Sequence, residues 1–229
     1  MSSGFRIPDF GLNDNGDRPP RQPGIRNPKS GMPVIGLVGG VASGKSLVAA
    51  QFAGLGCEVV DADRLVHEIL QEPPIRERVR QAFGDGVFDA SGHIDRARLG
   101  EAVFSDPERL KALEKIVHPP VLGRIREALA AARARPGVQA VILDAALILE
   151  KGLDNLCDRV VYIRAEEKVR HWRALEARGW PPSEVARREG SQLPLKFKRQ
   201  RADYVIDNSS TPEHTLDQVR TILARVVGK

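Results

Sequence analysis

The chain has almost no cysteine. Among its 229 residues there are two, Cys57 and Cys157, a hundred positions apart. Neither belongs to a C-x-x-C or Cys/His ligand spacing, which excludes a disulfide scaffold and argues against a structural zinc site. Long hydrophobic runs are also missing. The most nearly apolar stretch, Ala140 to Leu149, is interrupted by Asp144 and falls far short of the ~20 residues a membrane span needs. No segment near the N-terminus has the charged-then-apolar build of a secretory signal, so a reduced cytoplasm is the expected compartment. There is no internal repeat or low-complexity array. The remaining composition, 41% hydrophobic and 28% charged, is that of a soluble globular protein, long enough for one large or two small domains.

Charge is uneven. The net charge is +5, yet Arg164 to Arg201 alone holds eleven Lys/Arg against five Glu, so the rest of the chain sums to −1. Such a stretch is a solvated helix face, a phosphate-attracting patch or a nucleic-acid contact, and charge alone does not choose.

Residues 1–31, with five Pro and five Gly and no apolar periodicity, cannot bury enough apolar surface to offset ordering and are read as a flexible tail. Met32, just before the first strand, is a candidate translation start. From Pro33 the pattern is α/β. Strands are expected at Val34–Val38, Cys57–Val60, Val138–Leu143, Arg159–Arg164 and Tyr204–Ile206. Helices are expected at about Gly44–Ala53, Arg64–Leu70, Pro73–Phe83 and Thr211–Val227, with two more in the basic stretch. Gly84–Gly92 reads as a loop. Pro107–Arg135 reads as one or two long helices with a kink or break at His118-Pro119. Strands alternating with helices imply a five-stranded, mainly parallel sheet with helices on both faces.

Gly39-Gly40-Val41-Ala42-Ser43-Gly44-Lys45-Ser46 fits G-x-x-x-x-G-K-[ST], between an expected strand and an expected helix. Glycines allow backbone N–H groups to turn inward around a phosphate, and the helix N-terminus adds unpaired donors and a positive dipole end. Lys45 can reach β- and γ-phosphates, and the Ser46 hydroxyl can ligate Mg²⁺. A chance match somewhere in a chain this long has a probability on the order of one in a hundred. The loop points to a nucleoside triphosphate. The N/T-K-x-D tetrad of guanine-specific proteins is absent, which leaves a small P-loop kinase as the natural reading.

Such a kinase needs a carboxylate for the acceptor. Asp61-x-Asp63 ends the second strand, where ligands gather in open α/β sheets. Asp63 is favoured as the group that takes the acceptor proton, with Asp61 left as helix cap or support. Asp144, closing the third strand, stands where P-loop proteins hold the Mg²⁺ shell. Arg164–Arg201 suits a mobile cover that neutralises the transferring phosphoryl group. His67 follows Asp63 by one helical turn, as acceptor contact, Asp63 partner or surface residue. His118 reads as structural. Trp172 and Trp180 read as packing residues, and Glu150 as either near the acceptor or solvated. Competing readings are a P-loop kinase for another nucleoside or nucleotide, and a nucleic-acid-binding helix pair over Pro181–Arg201.

On these residues the chain resembles the dephospho-CoA kinase family, from Pro33 to about Val227. The loop is similar to GGIGSGKS. Val60-Asp61-Ala62-Asp63 with His67 is similar to VIDAD…H, and Val117-His118-Pro119 to the family's helical HP pair. Ser191-Gln192-Leu193-Pro194, Lys198 and Ala202-Asp203-Tyr204-Val205-Ile206-Asp207-Asn208 are similar to SQMP…K…ADYVIDN. The resemblance implies ATP-dependent phosphorylation of the ribose 3′-hydroxyl of dephospho-CoA by a cytoplasmic protein, most simply a monomer, with no nucleic acid or membrane partner. It implies a nucleotide core at 32–63 and 138–229, a helical acceptor-binding region at about 64–137 and a lid at about 165–202. Asp63, Lys45 and Arg178 become the catalytic residues. Gly40, Val41, Ala42, Ser43, Gly44, Lys45, Ser46, Leu47 and Asn208 become nucleotide contacts, with Asn208 near the adenine. Ser46 and Asp144 become the Mg²⁺ ligands. The chain departs from the family pattern at Leu47, where Thr is usual, and at Ala146, where Pro is usual. The lid turn Arg178-Gly179-Trp180 lacks the usual Asp, and Arg173 is one residue out of R-x-x-x-R spacing.

Overall fold

The structure, a computed structural model, describes residues 31–104 and 106–228. The expected tail, except Gly31, lies outside the described residues. The chain divides into two compact units, residues 62–128 and residues 31–61 with 129–228. Among the described residues no helix is long and apolar enough to cross a membrane.

The larger unit is built on strands β1 (Val34–Gly39), β2 (Glu58–Asp61), β3 (Val141–Asp144), β4 (Arg159–Arg164) and β5 (Tyr204–Asp207). They form one sheet in the order β2-β3-β1-β4-β5, and every pair is parallel. β1 is buried along its whole length, as a central strand covered on both faces must be. Helix α1 (Lys45–Gly54) packs with the C-terminal helix on one face. There Ile35, Leu37, Val48, Phe52, Val161 and Ile222 share one core. Alternate β1 residues turn to the other face, where Gly36 meets Cys157 and Ile148. The chain crosses from β1 outward in both directions, so the carboxyl ends of β1 and its neighbours form a topological switch point, the usual ligand crevice of such sheets.

β3 starts at Val141, three residues later than expected. The backbone of Gln139 instead bonds to Gly56, and Ala140 accepts from Glu58. Both cysteines are buried, and burial pushes the Cys57 thiol up to about 11, which keeps it out of its reactive thiolate form.

In the smaller unit, helix α2 (Ala62–Leu70) follows β2 without a linker, and helix α3 (Pro73–Phe83) follows it. Val66, Ile69 and Leu70 of α2, and Ile75 and Val79 of α3, are buried at helical spacing. The loop read over Gly84–Gly92 contains a short 3₁₀ turn at Asp85–Val87. Helix α4 (Arg96–Phe104) was not anticipated, although its signal is present. The Asp95 carboxylate accepts from the N–H groups of Ala97 and Arg98, an N-cap, and Leu99 and Val103 are buried one turn apart.

Helix α5 runs from Pro107 to Arg133 with Pro119 and Pro120 inside it, so the break expected at His118-Pro119 is not there. An internal proline costs about 3 kcal/mol and frees the carbonyl four residues back. For Pro119 that carbonyl is Lys115, and Arg78 Nη2 donates to it at 3.4 Å. Buried Leu113, Val117, Val121 and Ile125 continue one stripe through the proline pair, and that burial outweighs the lost backbone bond.

A Cβ on Gly36 would lie 2.7 Å from Cys157 Sγ and 3.3 Å from Ile148 Cδ1. Gly36→Ala is expected to destabilise the protein by about 1–3 kcal/mol, read as a lowered midpoint of urea unfolding with an unchanged slope.

Candidate active site

The loop leaves β1 at Gly39 and enters α1 at Lys45. Its turn is made by Ala42 at φ 55 and Gly44 at φ 90. The left-handed form costs an alanine about 1–2 kcal/mol, so something must hold it. At Gly44 no side chain would fit, because a Cβ would lie 2.0 Å from Asn208 Nδ2. That amide donates to the Ser43 carbonyl at 2.8 Å, and Thr215 Oγ1 donates to Asn208 Oδ1 at 2.9 Å. Asn208 and Thr215 are both buried. Asn208, one residue past β5, is therefore a brace of the loop.

From the helices after β4, Glu189 Oε1 accepts the Val41 N–H at 3.1 Å and pairs with Arg170 Nη1. Val41, Ala174 and Val185 form a small core between the loop and helices α6 (Glu167–Arg178) and α7 (Pro182–Glu189), with Trp180 against it. Ser43 Oγ, Arg170 Nε and Arg173 Nη1 are buried with no partner among the described residues. Arg173 Nη1 lies 3.5 Å from where a Gly44 Cβ would stand. Polar atoms buried in this way are costly unless a ligand or water completes them, and their chemistry fits an anion on the loop.

Asp61 and Asp144 are register partners on adjacent strands, at the last residue of each. Their Cα positions thus stand one strand spacing apart at the carboxyl edge of the sheet, a neighbourhood that linear spacing did not reveal. Leu37, two residues before the loop, faces the same Asp144. Ser46 is exposed at the start of α1, with Leu47 partly buried behind it. Asp63 lies in the first turn of α2. In that unit His67 Nδ1 stands 3.3 Å from Arg96 Nη1, which makes the ring nitrogen the acceptor. Burial pulls the Arg96 guanidinium below its ordinary pKa, and the negative charge of Asp63 acts against that shift.

Arg178 is exposed at the end of α6, its guanidinium 4.7 Å from the Trp180 ring centre. Arg188 stacks at 3.7 Å from the same ring, a cation–π contact. Trp180 packs as expected, but Trp172 is 61% exposed, which corrects its reading as a packing residue. Glu184 is held down to about 2 by hydrogen bonds from Arg187 and Arg188. Seven of the eleven cations in the basic stretch (Arg164, Lys168, Arg170, Arg187, Arg188, Lys198 and Arg201) are in ion pairs. Four of these, Arg170, Arg188, Lys198 and Arg201, are largely buried with their partners, which leaves less of the stretch as open basic surface for a nucleic acid.

The dephospho-CoA kinase family model matches residues 33–213. This chain belongs to the dephospho-CoA kinase family. A dephospho-CoA kinase of Carboxydothermus hydrogenoformans is 39% identical over 197 residues, covering 85% of this chain and 94% of its own. One from Leifsonia xyli subsp. xyli is 40% identical over 198 residues, covering 86% and 100%. The crystal structure of TT1252 from Thermus thermophilus matches with a TM-score of 0.76 at 34% identity, over 86% of this chain and 98% of that one. A dephospho-CoA kinase from Campylobacter jejuni matches with a TM-score of 0.64 at 23% identity, over 85% and 97%, a likeness of fold.

Several of the motifs that resemble the dephospho-CoA kinase pattern meet in one buried network. Lys198, in helix α8 (Leu195–Gln200), pairs with Glu150 at 2.8 Å, and both side chains are nearly inaccessible. Lys198 also donates to Gln192 Oε1 at 2.8 Å, and Glu150 accepts the Leu193 N–H at 3.0 Å. Glu150 is therefore neither solvated nor free, which corrects one of its two readings. Arg201 and Asp154 form a second buried pair at 3.7 Å. Lys198→Met would leave Glu150 charged and uncompensated, and is expected to cost about 3–5 kcal/mol. Adding Glu150→Gln should recover part of that loss in the same urea titration.

Proposed function

We propose that this chain transfers the γ-phosphoryl group of ATP to the ribose 3′-hydroxyl of dephospho-CoA, giving CoA and ADP, the last step of coenzyme A synthesis. The observation that carries the reading is the loop at 39–46, with buried polar atoms of Ser43, Arg170 and Arg173 beside it that no described group satisfies, in a chain of this family. Backbone N–H groups of the loop from Gly40 to Leu47 hold the phosphates, except those of Val41 and Ser43, which are bonded to Glu189 and to the Gly40 carbonyl, and Lys45 supplies a point charge to the β- and γ-oxygens. Arg173, facing the loop, is the first lid cation. Arg178, in the family's lid turn, is the second. Asn208 keeps the loop open and stands on the adenine side.

Mg²⁺, when bound, neutralises charge on the transferring phosphates. The Ser46 hydroxyl and the Asp144 carboxylate are its ligands in this reading, hard oxygen donors suited to a hard cation, and Asp61 adds a second negative charge beside Asp144. Asp63 takes the proton of the acceptor hydroxyl. It lies two residues beyond Asp61, so chain continuity keeps its Cα within about 7.6 Å of the Cα at that strand end. Positioning and charge stabilisation supply most of the rate. The activity belongs to a cytoplasmic monomer that needs neither nucleic acid nor membrane.

The test is ADP release by purified protein with ATP-Mg²⁺ and dephospho-CoA, against adenosine, AMP and no acceptor. Release with dephospho-CoA alone, matched by CoA formation, is expected. Release with another acceptor only would leave a P-loop kinase of different substrate. Lys45→Ala should abolish turnover with the fold retained by circular dichroism, and normal activity in it would remove the loop from the mechanism. Asp63→Asn should keep nucleotide binding and lower kcat by about 10²-fold or more.

A further inference from the structure

Glu189 ends helix α7, far from the loop in sequence, and the phosphate-loop pattern asks for no carboxylate there. Its Oε1 accepts the Val41 N–H at 3.1 Å. The same oxygen pairs with Arg170 Nη1, and that nitrogen also approaches the Val41 carbonyl at 3.4 Å. One ion pair thus engages both backbone polar groups of Val41. Arg170 is 5% exposed, and a Cβ on Gly40 would lie 2.8 Å from Glu189 Oε1 and 2.9 Å from Arg170 Nη1. The pair is pressed against the loop backbone, directly before the left-handed Ala42.

We propose that Glu189 and Arg170 are positioning residues, which hold Val41 and the Ala42 turn in the phosphate-receiving shape and so make nucleotide affinity depend on α6 and α7 being docked on the loop. The assignment rests on the reading of the loop as the ATP site. An alanine at positive φ relaxes toward right-handed or extended backbone unless its surroundings over-determine it. Released from the pair, the loop spends only part of its time competent, and observed affinity falls by that fraction. Arg170 Nη1 is held by Glu189, while Arg170 Nε and Arg173 Nη1 are buried without a partner among the described residues.

The experiment is calorimetric titration of the full chain with ADP, for wild type, Glu189→Leu, Glu189→Gln, Arg170→Met and the double Glu189→Leu/Arg170→Met, each with a thermal melt. Glu189→Leu and Arg170→Met are expected to weaken ADP about tenfold. Glu189→Gln should lose less, because its amide oxygen still accepts the Val41 N–H. The double variant should be no weaker than the worse single, as for two residues that act as one unit. An unchanged Kd in variants that only melt earlier would overturn the assignment and leave the pair a lid-stability device. Tighter ADP binding by Glu189→Leu would overturn it too, since the carboxylate would then compete with phosphate. If Glu189→Leu fails to fold, Glu189→Gln decides: a Kd equal to wild type with a lowered melt is the overturning result. Wild type that binds no ADP would overturn the nucleotide reading itself, an outcome separable from the others because it needs no variant.

Discussion

The loop between β1 and α1 must keep a backbone shape that its own residues do not favour. Gly39, Gly40 and Gly44 remove side chains from the closest approaches, but Ala42 sits in the left-handed region with a Cβ. The compensation comes from far along the chain. Asn208 fixes the Ser43 carbonyl, and Glu189 with Arg170 fixes Val41. These braces arrive from the end of β5 and from the helices after β4. The contacts on the loop therefore depend on the order of the strands in the sheet and on the packing of helices α6 and α7.

The charge pattern follows from the same economy. A run of eleven cations looks like an open electrostatic surface, but in the fold most of it is matched internally. Lys198 and Arg201 are taken into the protein beside Glu150 and Asp154, and Arg187 and Arg188 clasp Glu184 within α7. Buried ion pairs contribute little net stability, yet breaking one is costly. They act here as registration points that lock the family's late motifs to the segment after β3. Beside the loop, Arg173 keeps a buried guanidinium nitrogen without a partner among the described residues.

Much of this was legible beforehand. The strand–loop–helix unit at 34–54 was clear because an apolar run, a glycine-rich turn and a helix stop coincide, and Asp144 was correctly put at the end of its strand. The misreadings have particular causes. Of the kink or break read at Pro119, the break does not occur: the helix runs on, with buried residues on both sides of the proline pair and a donor from Arg78 to the Lys115 carbonyl. Helix α4 lies in a segment whose signals are short, the Asp95 cap and the apolar pair Leu99 and Val103 one turn apart. Trp172, read as a packing residue, is instead 61% exposed on α6.

Composition, loop chemistry and the spacing of the late motifs by themselves determined the fold class, the phosphate loop and the family, because each depends on residue type at short separation. Pairings across the chain were decided by the tertiary structure alone. Asp61 and Asp144 are brought level by strand register, Glu150 meets Lys198 of helix α8, and Glu189 meets Val41 across 148 positions. Such partners are set by how strands order and helices dock. A carboxylate in a sequence carries no mark of which backbone N–H it will hold.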